Sequence, residues 1–154
     1  MKRTSSVVLL ACMTAVLAGT GPALATLGQK SDSVARDRRA LAATQKSASS
    51  TAAYTIQELA LDSTTIREYL NASGIVFAIA WKGMIHPDFD TILGNYANEY
   101  WTAKRATERK HGRKGLRIVT PRVVVETWGH MRDLQGRAYL PAMLPEGVNV
   151  DEIR

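Results

Sequence analysis

The sequence predicts an α+β domain: a single antiparallel β-sheet, in the chain order β-β-β-α-β-β, with one main amphipathic helix packed on one face. Three observations lead there. Strand-forming runs between Tyr54 and Trp81 are separated by short turns, apolar residues recur at helical spacing from Phe89 to Trp101, and strand character returns from Leu116 onward.

The chain opens Met1-Lys2-Arg3, continues through an apolar run from Val7 to Ala18 broken by Thr14, and reaches Ala23-Leu24-Ala25. A positive start, an apolar run and small residues, in that order, are the parts of a cleavable export signal. The run falls short of the roughly 20 residues that a bilayer core demands, so no transmembrane helix is expected in the mature form. Cleavage near Ala25 makes the protein periplasmic or secreted. Cys12, after Leu9-Leu10-Ala11, has the residue types of a lipoprotein cleavage site. That reading leaves an apolar region shorter than the roughly 7–15 residues a signal needs, and cleavage after Ala25 is favoured over it.

Removing residues 1–25 of the 154 leaves 129, a single-domain length, and takes away the only cysteine. The mature fold then depends on its apolar core without a disulfide. Its formal charge falls from +6 to +4, because Lys2 and Arg3 leave and no acid does. The basic excess favours anionic partners without naming one.

Residues 26–53 read as an N-terminal arm. Ser31 to Gln45 carries a weak helix, with Asp32 or Ser33 as N-cap and Val34, Ala35, Leu41 and Ala42 on one face. Lys46 to Ala53 lacks large apolar side chains and reads as a flexible linker. The ordered domain is expected over 54–154.

Tyr54 to Leu59 is rich in strand formers, Asp62-Ser63 marks a turn, and Thr64 to Leu70 resumes as a strand. Asn71-Ala72-Ser73-Gly74 is a second turn, followed by Ile75 to Trp81, apolar on both faces and expected to be the most buried strand. The helix is predicted to open near Pro87, with Asp88 and Asp90 beside the positive end of its dipole. Phe89, Ile92, Leu93, Tyr96, Tyr100 and Trp101 give it one broad apolar face, and Gly112 is expected to end it. Leu116–Val119 and Val123–Trp128 are strand-like and interrupted at Pro121, which suggests an edge or a bulge. Gly129 to Gln135 holds a turn, Gln135 to Leu140 reads as a last short strand, and the tail after Pro141 is expected to be extended.

Several groupings carry chemistry on paper. His86 with Asp88 and Asp90 has the residue types of a divalent-metal site, but the two acids sit two apart on a helix and already suit its dipole, so no metal and no cofactor is expected. His130 follows Glu126 and Trp128 on one strand face, and a carboxylate–histidine pair suits general acid/base work. With His86 it forms the catalytic candidate set, though no nucleophile motif accompanies it. Lys104, Arg105, Arg109, Lys110, Arg113, Lys114 and Arg117 surround the single acid Glu108, as a solvated helix end or an anion-binding site. Trp81, Trp101 and Trp128, with Tyr96, Tyr100 and Tyr139, read first as core and second as the lining of a ligand pocket.

The chain resembles an uncharacterised family of exported proteobacterial proteins, the domain of unknown function 2844. The likeness is carried by Ala25-Thr26-Leu27-Gly28, by Thr65-Ile66-Arg67-Glu68-Tyr69 with Ser73 to Trp81, by Leu93-Gly94-Asn95-Tyr96, and by Gly129 to Arg132 through Gly136 to Pro141 and Asp151 to Arg154. The resemblance implies export and brings neither an activity nor site residues. The function expected is therefore a non-enzymatic cell-envelope protein acting on an envelope protein or on an anionic lipid or lipopolysaccharide surface. The alternatives are a periplasmic hydrolase using His130 and Glu126 and a small-ligand or anion-binding protein. Export, and the lack of an aromatic-interleaved basic motif, speak against nucleic acid.

Overall fold

The structure, a computed structural model, describes residues 26–30, 44–51, 53–108 and 115–154. They build a seven-stranded sheet from β1 (Thr44–Ser50), β2 (Thr55–Ala60), β3 (Thr64–Leu70), β4 (Val76–Gly83), β5 (Gly115–Val119), β6 (Val124–His130) and β7 (Asp133–Tyr139). One helical segment separates β4 from β5: α1 (Phe89–Leu93), a 3-10 turn (Gly94–Tyr96) and α2 (Ala97–Ala106). The spatial order is β1-β2-β3-β4-β7-β6-β5, and every neighbouring pair is antiparallel.

The α+β class and the single helical layer agree with the sequence reading, while the order β-β-β-α-β-β does not. Four strands precede the helix and three follow it. The extra leading strand is β1, which takes in Lys46–Ser50 of the expected linker and pairs with β2 along its length. A strand at the sheet's edge does not need large apolar side chains, so its small polar composition hides it. The helix expected over Ser31–Gln45 lies outside the described residues, apart from Thr44 and Gln45, which belong to β1. At the other end, Pro121 interrupts no strand. It lies exposed in the two-residue turn joining β5 to β6, closed by Thr120 N–H on the Val123 carbonyl at 3.0 Å, where its missing N–H costs nothing.

β4 is buried on both faces from Val76 to Trp81, as its unbroken apolar run implies. A bulge opposite Tyr69 and Leu70 inserts Phe77 into it. The extra residue turns Phe77 to the same side as Ala78, where it meets Tyr54 and Tyr69, and leaves Val76 facing the helix. The helix side of the sheet is sealed by Ile92, Leu93, Ala97 and Tyr100. The other side is partly covered by the C-terminal tail. There Leu144, Val148 and Val150 pack on Tyr69, Phe77 and Tyr139, and Ile153 is fully buried.

Asp88 caps α1, accepting from the N–H groups of Asp90 and Thr91 and from the Thr91 hydroxyl, so Pro87 stands just outside the helix and not at its first position. The residues after the expected cleavage site also dock. Leu27 is 1 % exposed in the core, its N–H bonds to the Ile92 carbonyl, and the Gly28 N–H bonds to that of Val76. A side chain at Gly94 would strike Thr26, and one at Gly28 would press on Tyr96. Two of the segments that carry the family resemblance thus lock onto each other.

Candidate functional site

Side chains alternate across a strand, so the register fixes which residues share the tail side of the sheet. Three rows cross it. Ile56, Tyr69, Ala78, Tyr139 and Val124 form an apolar row, partly covered by the tail. Next to it run Glu58, Arg67, Ala80, Arg137, Glu126 and Arg117, each directly opposite the next. The third row is Ala60, Thr65, Lys82, Gln135, Trp128 and Gly115.

The middle row is a charged ladder in two alternating stretches, Glu58–Arg67 and Arg137–Glu126–Arg117, separated by Ala80. Arg67 meets Glu58 at 2.8 Å, and Glu126 takes Arg117 on one oxygen at 2.8 Å and Arg137 on the other at 2.5 Å. Arg137 also donates to the Val150 carbonyl and reaches Asp151 at 3.3 Å, which fastens the tail to the sheet. On the other flank Arg67 donates to the main-chain oxygen of Arg154 at 2.8 Å, as does the Tyr69 hydroxyl at 3.0 Å. In the third row the Trp128 indole N–H donates to Gln135 at 3.3 Å. The Gln135 amide donates in turn to Asp133, and Lys82 lies 3.5 Å from the same carboxylate.

Ala80 and Gly115 stand where their neighbours are long, and the face sinks there. Two depressions result, one of about 690 Å³ over Ala80 and Lys82 and one of about 440 Å³ over Gly115 and Glu126. Trp128, Gln135 and Arg154 line both, so they read as two halves of one trough, with the half-buried indole between them and the Arg137 guanidinium 5.6 Å from its ring centre. The larger half opens toward Leu61 and Met84, both exposed.

The residues singled out from sequence fall in several places. His86 accepts the Trp81 indole N–H on Nδ1 at 3.0 Å, which leaves its ring proton on Nε2, and packs against Phe89. Burial and then the nearby Lys104 charge push its pKa down. Asp88 is occupied as the helix cap, its carboxyl held below the usual range by the Thr91 hydroxyl and the cap N–H groups. Asp90 accepts from Trp101 at 2.7 Å. Among the described residues no three His, Cys, Asp or Glu side chains are grouped to hold a metal.

β6 does run to His130, and Glu126, Trp128 and His130 share a face. Glu126 is engaged by two arginines, whereas His130 is exposed beside the Met131 carbonyl at the hairpin end. His86 lies on the helix side. The three catalytic candidates are thus not gathered into one cleft.

The basic run is also divided. Lys104 sits 4.6 Å from the Trp101 ring centre on the helix side, Arg105 donates to Thr102, and Arg117 belongs to the ladder on the opposite face. Arg109, Lys110, Arg113 and Lys114 lie outside the described residues, and the helix ends at Ala106, ahead of Gly112. The aromatic set splits in the same way. Trp81, Tyr96, Tyr100 and Trp101 pack on the helix side, and Trp128 and Tyr139 occupy the other.

Glu58, Arg67, Asp133, Gln135 and Arg137 are trough residues that sequence reasoning did not single out. Their signal is the outward alternation of polar residues along each strand. It identifies a face only once β4 is known to pair with β7 across the helix.

Compared with known protein families, residues 23–153 match the family described as Protein of unknown function (DUF2844). No curated protein and no solved structure matches the chain. Among the described residues, no helix is long and apolar enough to cross a membrane.

Proposed function

We propose that this chain, which belongs to the DUF2844 family, is an exported cell-envelope protein that works by binding another envelope component and not by catalysis. One observation carries the binding half of this reading. The trough spans most of the sheet, and its charged groups are held in place by one another around a single open aromatic ring. Side chains fixed before a ligand arrives lose little freedom on binding, which is how a recognition surface gains affinity. The catalytic candidates Glu126, His130 and His86 do not meet in one cleft, which favours binding over catalysis.

The export half rests on Lys2-Arg3, the apolar run and Ala23-Leu24-Ala25. A cut after Ala25 would make Thr26 the new N-terminus and Leu27 the second residue, whose side chain fills the core and whose N–H bonds to the Ile92 carbonyl.

A photo-crosslinking amino acid in place of Gln135 tests the first half in intact cells, with the exposed helix position Asn98 as control. A covalent adduct from position 135 and not from 98 is expected. Equal labelling at both, or none at 135, removes the trough as the binding face. N-terminal sequencing of the envelope fraction should begin at Thr26, and a cytoplasmic protein that retains Met1 would end the export reading.

A further inference from the structure

We propose that the trough takes a linear, uncharged saccharide chain, laid across the strands with one pyranose ring against Trp128. This rests on the reading of the trough as the binding face, and four features of the face select the ligand.

The first is the indole. Its N–H is committed to Gln135, and the Gln135 amide is committed to Asp133, so the ring is fixed in orientation and offers only its flat apolar surface. The C–H face of a pyranose is the matching shape. A chain stacked there keeps its hydroxyls pointing sideways into the polar rows.

The second is charge. Four of the six cations that line the trough, Arg67, Lys82, Arg117 and Arg137, are each within ion-pair distance of a trough carboxylate; Arg154 donates to the Asp151 carbonyl at 2.7 Å, and Arg132 lies exposed at the hairpin rim. A charged ligand must compete with these pairs and desolvate them. A hydroxyl need not, because a paired guanidinium or carboxylate keeps spare N–H groups or lone pairs that one hydroxyl can use as both acceptor and donor.

The third is the closed backbone. β3, β4, β7 and β6 are each paired on both sides, so a peptide cannot be read here by joining the sheet as a further strand.

The fourth is size. From Thr65 on β3 to Gly115 on β5 the third row crosses four strand spacings. At about 4.8 Å each that gives roughly 19 Å, a spacing close to the length of one sugar ring, and so room for about four rings.

The test titrates the full mature protein with chitotetraose and with cellotetraose, followed by calorimetry and by amide chemical shifts. A galacturonate tetramer and phosphatidylglycerol vesicles serve as charged comparisons. At least one neutral tetrasaccharide is expected to bind, with little dependence on salt, and to shift amides of β4, β6 and β7. Trp128→Ala should weaken it about tenfold or more, and Trp128→Phe, which retains a ring, should restore most of the loss. Because Trp128 is half-exposed, both variants should keep the wild-type amide spectrum away from β6, and this control separates lost binding from lost folding.

Failure of both neutral chains to bind overturns the proposal, as does binding that Trp128→Ala leaves unchanged. Preference for the galacturonate or the vesicles, abolished by salt, overturns it in favour of an anionic ligand. If saccharides fail while the crosslinker at position 135 still captures a component, the binding face stands and only the ligand class falls. If both fail, both readings go.

Discussion

Arg137 and Glu126 face each other across β7 and β6 at 2.5 Å, each side chain only 14 % exposed, and from this position Arg137 also holds the Val150 carbonyl of the tail. Removing Arg137 leaves the poorly hydrated Glu126 carboxylate with the largely exposed Arg117 as its remaining ion pair, and takes the donor from the Val150 carbonyl. Arg137→Met should therefore cost about 3 kcal/mol in urea unfolding, and backbone amides from Val150 onward should exchange faster, since the tail loses its fastening. Arg117→Met makes the control. Arg117 pairs with the same carboxylate but is 59 % exposed, and its loss should cost about 0.5 kcal/mol. Equal costs for the two would refute this ranking.

His86 predicts a pH dependence. Burial and, second, the Lys104 charge lower its pKa in the folded protein, while the unfolded chain has the ordinary value of about 6.5. As pH falls below that value the unfolded state takes up a proton before the folded state does. The stability associated with neutral His86 is complete above the unfolded pKa and is lost as pH falls through the folded one. Titration followed by imidazole chemical shifts should give a midpoint below that of a model peptide. Lys104→Gln should raise the midpoint only part of the way, because burial is the larger cause. Urea midpoints measured in steps below neutrality should decline less steeply in His86→Gln than in the parent.

Leu27 carries a prediction about where the mature protein can begin. It is almost wholly buried among helix-side core residues, although its neighbour Gln29 is exposed. Leu27→Ala should cost about 3 kcal/mol, as expected for deleting a core leucine side chain that its surroundings replace only in part. Gln29→Ala should be neutral within about 0.5 kcal/mol. A silent Leu27→Ala would mean that the segment does not dock in solution.

The elements legible in the sequence are those whose side chains report their own environment. β4 is apolar on both faces because both faces are buried, and the helix shows its period because one stripe meets the sheet. β1 was not legible, because an edge strand made of small polar residues has the composition of a linker. Nor was the trough. Glu126 and Trp128 were visible as an outward pair, but Arg137 becomes their neighbour only through the β6–β7 register, and Arg67 only through the non-local pairing of β4 with β7. The C-terminal tail reads as extended because Pro141, Pro145 and Gly147 break periodicity, whereas it makes 3-10 turns at Pro141–Met143 and Val150–Glu152 and is anchored by Leu144, Val148, Val150 and Ile153, which share no period.

Gly136 gives the sharpest test of packing. Its backbone lies outside the positive-φ region, so replacing it with alanine in a strand would ordinarily stabilise by about 0.4–1 kcal/mol through loss of chain entropy in the unfolded state. Here a Cβ would lie 2.3 Å from Cζ2 and 2.6 Å from Cε2 of Trp81, and 2.6 Å from the main-chain oxygen of Glu126. Neither neighbour yields easily. The indole is buried and tied to His86 through its N–H, and the carbonyl belongs to the adjacent strand. The clash should reverse the sign, and Gly136→Ala should destabilise by about 1–3 kcal/mol, the usual cost of overpacking. It should also displace the indole from His86, so that the His86 midpoint moves in the same variant. In a Trp81→Leu background the ring atoms are gone and the Glu126 oxygen remains. The cost should shrink without vanishing, and the difference between the two backgrounds measures the Gly136–Trp81 coupling directly.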